Sequence, residues 1–124
     1  PAESSSHRLG SDKAPRHICW SECNRTALIR IPAAKGEYIR SEVRSPDPAC
    51  NPYLAFALLI RAGLAGIREQ LPLPEPARRN LFRDPGSHAL LPGTLAEAAR
   101  LAKSSTFLKA CLPEELLTAY CREI

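Results

Sequence analysis

Five charged residues stand closest to chemistry in this sequence: Arg25, Arg30, Arg40, Glu42 and Arg44. The run Arg40-Ser41-Glu42-Val43-Arg44 alternates, and side chains of an extended strand repeat every two residues. One face therefore carries a carboxylate between two guanidiniums, and the other carries Val43 with Ile39 and small Ser41. On a surface strand these charges would only meet water. Lining a polar cavity, Glu42 could bind magnesium or manganese through oxygen, and the arginines could grip carboxylate or phosphoryl oxygens with paired hydrogen bonds. Arg30 lies on a second strand-like run, Thr26 to Ile31, opposite in facing to Ala27, Ile29 and Ile31, and Arg25 directly precedes that run. Two such strands side by side would gather Arg25, Arg30, Arg40 and Arg44 around Glu42. So many cations repel unless an anion joins them, and a nucleoside triphosphate would. Positioning plus charge stabilisation is what phosphoryl transfer requires of a protein. No glycine-rich phosphate loop of the P-loop or dinucleotide-binding kind occurs.

The elements that must hold these groups have little chain to work with. At 124 residues there is room for one domain and one modest core. With 44% hydrophobic and 24% charged residues the composition is that of a soluble globular chain. The longest apolar run, Tyr53 to Ile60, stops at Arg61, far short of the roughly 20 residues a spanning helix needs. No charged start leads into an apolar segment, so no signal peptide is expected, and a cytoplasmic location with no membrane partner follows. The chain opens on Pro1 and has no methionine, which suggests a processed product or a piece of a longer protein. The net charge is +4, and arginine supplies 13 of the 17 basic residues. Acids are spread among them without a long basic run or an aromatic platform, so no nucleic-acid partner is expected, even at Arg78, Arg79 and Arg83. Cys19, Cys23, Cys50, Cys111 and Cys121 lack the spacing of a zinc knuckle or redox pair and read as structural, reduced thiols.

Read for elements, residues 1–13 form a polar tail or loop, residues 14–50 hold strands with the charged groups, and residues 51–124 are mainly helical. His17 to Trp20, Thr26 to Ile31 and Tyr38 to Val43 are the strand candidates. Asn51-Pro52 is a strong helix start. The following Tyr53 to Gly66 is apolar around nearly its whole circumference, which predicts a helix buried on most sides. Gly63 and Gly66 would end it or admit a close neighbour. Gln70 to Pro92 is proline-rich and irregular. Thr94 and Glu97 form a capping box for Leu95 to Lys103, and short helices follow at Thr106 to Cys111 and Pro113 to Arg122. The fold class is α+β: a few antiparallel strands, then a buried helix and a helical C-terminal part.

Several strings together resemble the C-terminal part of the catalytic domain of the glutamine synthetase family, bacterial type I. They are Asn24-Arg25-Thr26-Ala27, Arg30-Ile31-Pro32, Arg40-Ser41-Glu42-Val43-Arg44, Pro46-Asp47-Pro48, Asn51-Pro52-Tyr53-Leu54-Ala55-Phe56-Ala57 and Ala62-Gly63-Leu64-Ala65-Gly66-Ile67. Order and spacing match over Ala14 to Ile67; Asn80-Leu81 and Gly93-Thr94-Leu95 fit more loosely. The resemblance implies strands of an incomplete glutamine-synthetase-type barrel. It implies an enzyme that phosphorylates the side-chain carboxylate of glutamate with ATP and then lets ammonia, or another amine, displace the phosphate. By the same resemblance Glu42 is a ligand of Mg2+ or Mn2+, Arg44 contacts the transferring phosphate and the substrate, Arg25 lies near the γ-phosphate, and Arg30 and Arg40 are on the nucleotide side. Arg8 matches the arginine that holds the glutamate α-carboxylate. The partners implied are the remainder of a parent chain and neighbouring subunits of a ring, so the 124 residues alone are expected to be inactive. Two departures stand out. Lys13 replaces the glutamate that closes the family's site and helps take a proton from ammonium, so either the neighbouring Asp12 substitutes for it, or the acceptor is a larger amine, or the chain is a non-catalytic nucleotide-binding homologue. Phe82 replaces the tyrosine that adenylylated bacterial enzymes carry after Asn-Leu, so no adenylylation is expected there.

Overall fold

The structure, a computed structural model, describes residues 3–10 and 14–122. It divides into two compact units. Ser4–Asp47 with Leu73–Leu91 make one, and it contains all the candidate charges. Pro48–Pro72 with the chain from Pro92 onward make the other.

The first unit is built on a three-stranded sheet in the order β1 (His17–Ser21), β2 (Ala27–Arg30), β3 (Glu42–Val43). The expected all-antiparallel arrangement holds only for β2 and β3. β1 and β2 run parallel, with His17 opposite Ala27 and Ser21 opposite Arg30. A parallel pair usually needs a long crossover. Here the strands are so short that the return path, about 13 Å at ~3.3 Å per residue, is within reach of the link Glu22–Thr26.

The third strand is also shorter than the alternation suggests. Gly36 sits at φ +59°, in the left-handed region that glycine tolerates best. It opens a 3-10 turn, Gly36–Tyr38, in which Tyr38 N donates to Lys35 O and Ile39 N to Gly36 O. Tyr38 and Ile39 are left 67% and 71% exposed, so the apolar face predicted for this run is packed only at half-buried Val43.

The irregular stretch after Gln70 belongs with the sheet. Ala77 N donates to Trp20 O, the Trp20 indole N–H to Pro74 O, Ile18 N to Ala89 O and Leu91 N to Arg16 O. This stretch is short of ladder partners of its own, and it satisfies its backbone on β1 instead. The core of the unit is small: Ala27, Ala77 and Leu81, with Cys19 packed against them as a small hydrophobe.

In the second unit Asn51 caps α1 (Pro52–Arg68), accepting from Tyr53 N and Leu54 N. The helix runs past Gly63 and Gly66, and a Cβ on either would meet nothing within 4 Å, so neither glycine marks a close approach. Gln70 ends it in the left-handed conformation at φ 49°, with Leu71 N bonded to Gly66 O and Gln70 N to Ile67 O, the paired bonds of a Schellman cap. The prediction of a buried helix fails: no residue of α1 is buried, and Tyr53, Phe56, Ile60 and Ile67 are largely exposed. A helix apolar on every side needs cover on every side, and among the described residues of this unit the main packing partner of α1 is the short α3 (Thr106–Cys111). Thr94 caps α2 (Leu95–Ser104) as foreseen, accepting from Glu97 N while Glu97 Oε2 accepts from Gly93 N. With α4 (Glu114–Tyr120), α2 closes a second small core of Ala99, Leu117 and Cys121.

Candidate active-site wall

The antiparallel register sets Arg30 opposite Glu42 and Ile29 opposite Val43. Arg30 thereby reaches the carboxylate with two parallel bonds: Nε to Oε2 at 2.8 Å and Nη2 to Oε1 at 2.9 Å. Arg40, two residues before Glu42 and on the same side, adds Nε and Nη2 to Oε1 at 3.2 and 3.0 Å. Its Nη1 donates to Tyr38 O, so the 3-10 turn that shortens β3 also orients this guanidinium. The Arg30 and Glu42 side chains retain 15% and 28% of their exposure, against 51% for Arg40. The result is a half-buried carboxylate clamped by two arginines, with one positive charge in excess. Such a surface attracts a further anion.

Of the four arginines expected around Glu42, the structure brings two into contact. Arg44 follows β3, its backbone N donating to Leu28 O at 2.9 Å, and its side chain is half-buried. Arg25 is exposed on the turn before β2; it lies five residues from Arg30, roughly 16 Å along an extended chain. Arg8 ends the 3-10 turn Glu3–Arg8, exposed, with Nη2 donating to Ser5 Oγ at 3.1 Å. Asp12 and Lys13 lie outside the described residues. Phe82 N donates to Asn80 Oδ1, and beside it Arg79 is paired with Asp84 at 2.6 Å, both well exposed.

The fit of a divalent cation can be tested on the same contacts. Both Glu42 oxygens already accept from guanidiniums, and among the described residues no group of three His, Cys, Asp or Glu could hold a metal ion. The described residues do not make a metal site on their own.

The arginines also set the acid behaviour of the clamp. The Arg30 hydrogen bonds, then its charge and those of Arg40, outweigh partial burial and hold Glu42 below its ordinary value of 4.5. In the unfolded chain this carboxylate takes its proton first. The stabilisation is therefore complete above about pH 4.5 and is lost as pH falls through the lowered folded-state value. Glu42→Gln is expected to flatten the acid limb of the unfolding midpoint against pH; an unchanged slope would contradict the clamp.

Asn24 and Thr26, to which the sequence assigned no role of their own, bracket Arg25. Asn24 Oδ1 accepts from Thr26 N at 2.9 Å and from Thr26 Oγ1 at 2.6 Å, spanning Arg25. An Asx residue two before a threonine is a local turn signal that could have pointed to it.

The family described as "Glutamine synthetase, catalytic domain" matches residues 1–123. The chain belongs to the glutamine synthetase catalytic-domain family. It is 46% identical over 114 residues to the glutamine synthetase of Methanosarcina mazei, covering 87% of this chain and 26% of that protein. The chain thus spans about a quarter of the length of that curated relative. Among solved structures it is similar to apo GmaS without ligand, with a TM-score of 0.82 and 29% identity over 99% of this chain and 29% of that one. It is also similar to a GmaS/ADP complex, with a TM-score of 0.76 and 30% identity over 88% of this chain and 25% of that one. These likenesses support the α+β class and the ligase family. Among the described residues no helix is long and apolar enough to cross a membrane.

Proposed function

We propose that this chain forms one wall of the active site of an ATP-dependent glutamate–ammonia ligase, a glutamine synthetase. The observation that carries the reading is the Arg30–Glu42–Arg40 clamp in a chain of this family. In the reaction an oxygen of the glutamate side-chain carboxylate takes the γ-phosphoryl group of ATP and ADP leaves. The ammonia nitrogen then attacks the activated carbon, phosphate leaves, and the nitrogen loses a proton. Arg25 and Arg44 stabilise the charge on the transferring phosphoryl group, worth about 10²–10³ in rate for one such donor. Arg30 and Arg40 hold the nucleotide phosphates, Arg44 also the substrate, and Arg8 the α-carboxylate of glutamate. Glu42 supplies a single donor toward Mg2+ or Mn2+, and further ligands must come from outside these residues. That one similar structure is a GmaS/ADP complex supports an adenine nucleotide as the ligand of the whole enzyme. The site is completed by the rest of a longer chain and by neighbouring subunits of a ring, and the 124 residues alone do not turn over.

A second reading rests on Lys13, whose cation would repel ammonium where the family carries a glutamate. In it the acceptor is a larger amine, or turnover is lost and nucleotide binding remains. The test is ADP release by the enzyme carrying its whole catalytic domain, with magnesium, ATP, glutamate and a panel of amines. Turnover with ammonia is the expected result. Turnover only with a larger amine moves the protein to the second reading, and nucleotide binding without turnover makes it a non-catalytic homologue.

A further inference from the structure

Arg25 is exposed, yet the side chains on either side of it are held to a segment 55 residues away. Asn24 Nδ2 donates to Arg79 O, and Thr26 Oγ1, buried, accepts from Leu81 N at 2.9 Å. Between them, Asn24 Oδ1 takes both the Thr26 amide and the Thr26 hydroxyl, closing a turn across Arg25. Asn24 N adds a bond to Ser21 Oγ at 3.2 Å, which fixes the turn to the end of β1; Ser21 is itself buried. The Thr26 hydroxyl is used both ways, donating to Asn24 and accepting from Leu81. No simpler apolar residue could fill this place without leaving a buried Leu81 N–H and an Asn24 oxygen short of partners.

We propose that Asn24 and Thr26 are positioning residues for Arg25, and that through them the backbone at Arg79–Leu81 sets where the Arg25 guanidinium reaches. The inference rests on the reading of Arg25 as a phosphate-side group. A long arginine side chain magnifies any error in its backbone. Phosphoryl transfer depends on placement, so a shift of about 1 Å can cost on the order of a hundredfold in rate. The Asn24–Thr26 network removes that freedom by tying the turn on three sides: to β1, to β2 and to the segment around Asn80.

Three substitutions separate the arms of the network. Thr26→Val keeps shape but loses both bonds of the hydroxyl. Thr26→Ser keeps the hydroxyl. Asn24→Asp keeps the acceptor for Thr26 and loses the donor to Arg79 O. Each is made in the enzyme carrying its whole catalytic domain, alone and with Arg25→Ala, and ADP release is read with ATP, glutamate and ammonia. The expected result is a kcat lower by about 10- to 100-fold in T26V with the KM for ATP little changed. T26S should restore turnover, and N24D should fall between. T26V should add nothing to R25A, because residues that act through one another are non-additive. Full turnover in R25A would overturn the reading of Arg25 and the inference with it. Loss in R25A with wild-type turnover in T26V and N24D would overturn the inference alone, as would equal losses from T26V in the presence and absence of Arg25. Where T26V does not accumulate as folded protein, N24D in both backgrounds decides by the same comparison.

Discussion

On the proposed ligase reading, replacing Glu42 with glutamine in the enzyme carrying its whole catalytic domain is expected to lower ATP-dependent turnover by about 10²- to 10³-fold, the scale seen when one preorganised electrostatic group is removed from a reacting centre. The substitution conserves shape and changes charge. An amide oxygen can still accept from one guanidinium, but the amide NH2 now faces N–H donors of Arg30 or Arg40. One of the two arginines must turn away, and the positive excess of the clamp doubles. Nucleotide then meets two guanidiniums that repel each other and are no longer fixed. ADP release with glutamate and ammonia is the measurement, and Arg30→Lys is the companion variant. Lysine keeps the charge but cannot form the paired bonds to Glu42, so a loss in both variants assigns the effect to geometry. Wild-type turnover in E42Q would remove the clamp from the mechanism.

Leu81→Ala carries the largest expected effect on stability, about 2–5 kcal/mol. Leu81 is 3% exposed and fills a core whose other buried members, Ala27 and Ala77, are both alanines. Their methyl groups cannot collapse into the space that a lost isobutyl group leaves. The surrounding backbone is also tied, by Leu81 N to Thr26 Oγ1 at 2.9 Å and by Ala77 N to Trp20 O at 2.8 Å. Little relaxation is available, which places the cost toward the upper end of the range. With a urea dependence of about 2 kcal/mol per molar, the unfolding midpoint should fall by about 1–2.5 M. Leu81→Met, close in volume, should cost less than about 1.5 kcal/mol. An alanine variant no less stable than the methionine variant would show that this small cluster is not what holds the sheet to its covering segment.

Much of the architecture was legible in local residue order. Asn51-Pro52 starts α1, Thr94 with Glu97 starts α2, and the Arg40/Glu42 alternation puts two charges on one side of the chain. These signals act over two to four residues, the range over which a cap or a strand face is decided by covalent geometry. The Arg40–Glu42 contact was legible too, because two residues at a spacing of two share one side of an extended run. That a turn opening at Gly36 would consume Tyr38 and leave β3 two residues long was not legible.

What the tertiary structure decided are the pairings between distant segments. That Arg30 rather than Arg25 meets Glu42 follows from the β2–β3 register, since a strand's side chains reach only the partner directly opposite or the near diagonal. The parallel run of β1 against β2 was unreadable, because strand composition does not encode direction. The cover of the sheet by residues 73–91 was unreadable for a different reason: its hydrogen bonds are mostly backbone groups, which every residue carries alike. The exposure of α1 shows the limit from the other side. An all-round apolar sequence specifies that a helix wants cover, and only the packed molecule shows that within its unit this one meets α3 and little else.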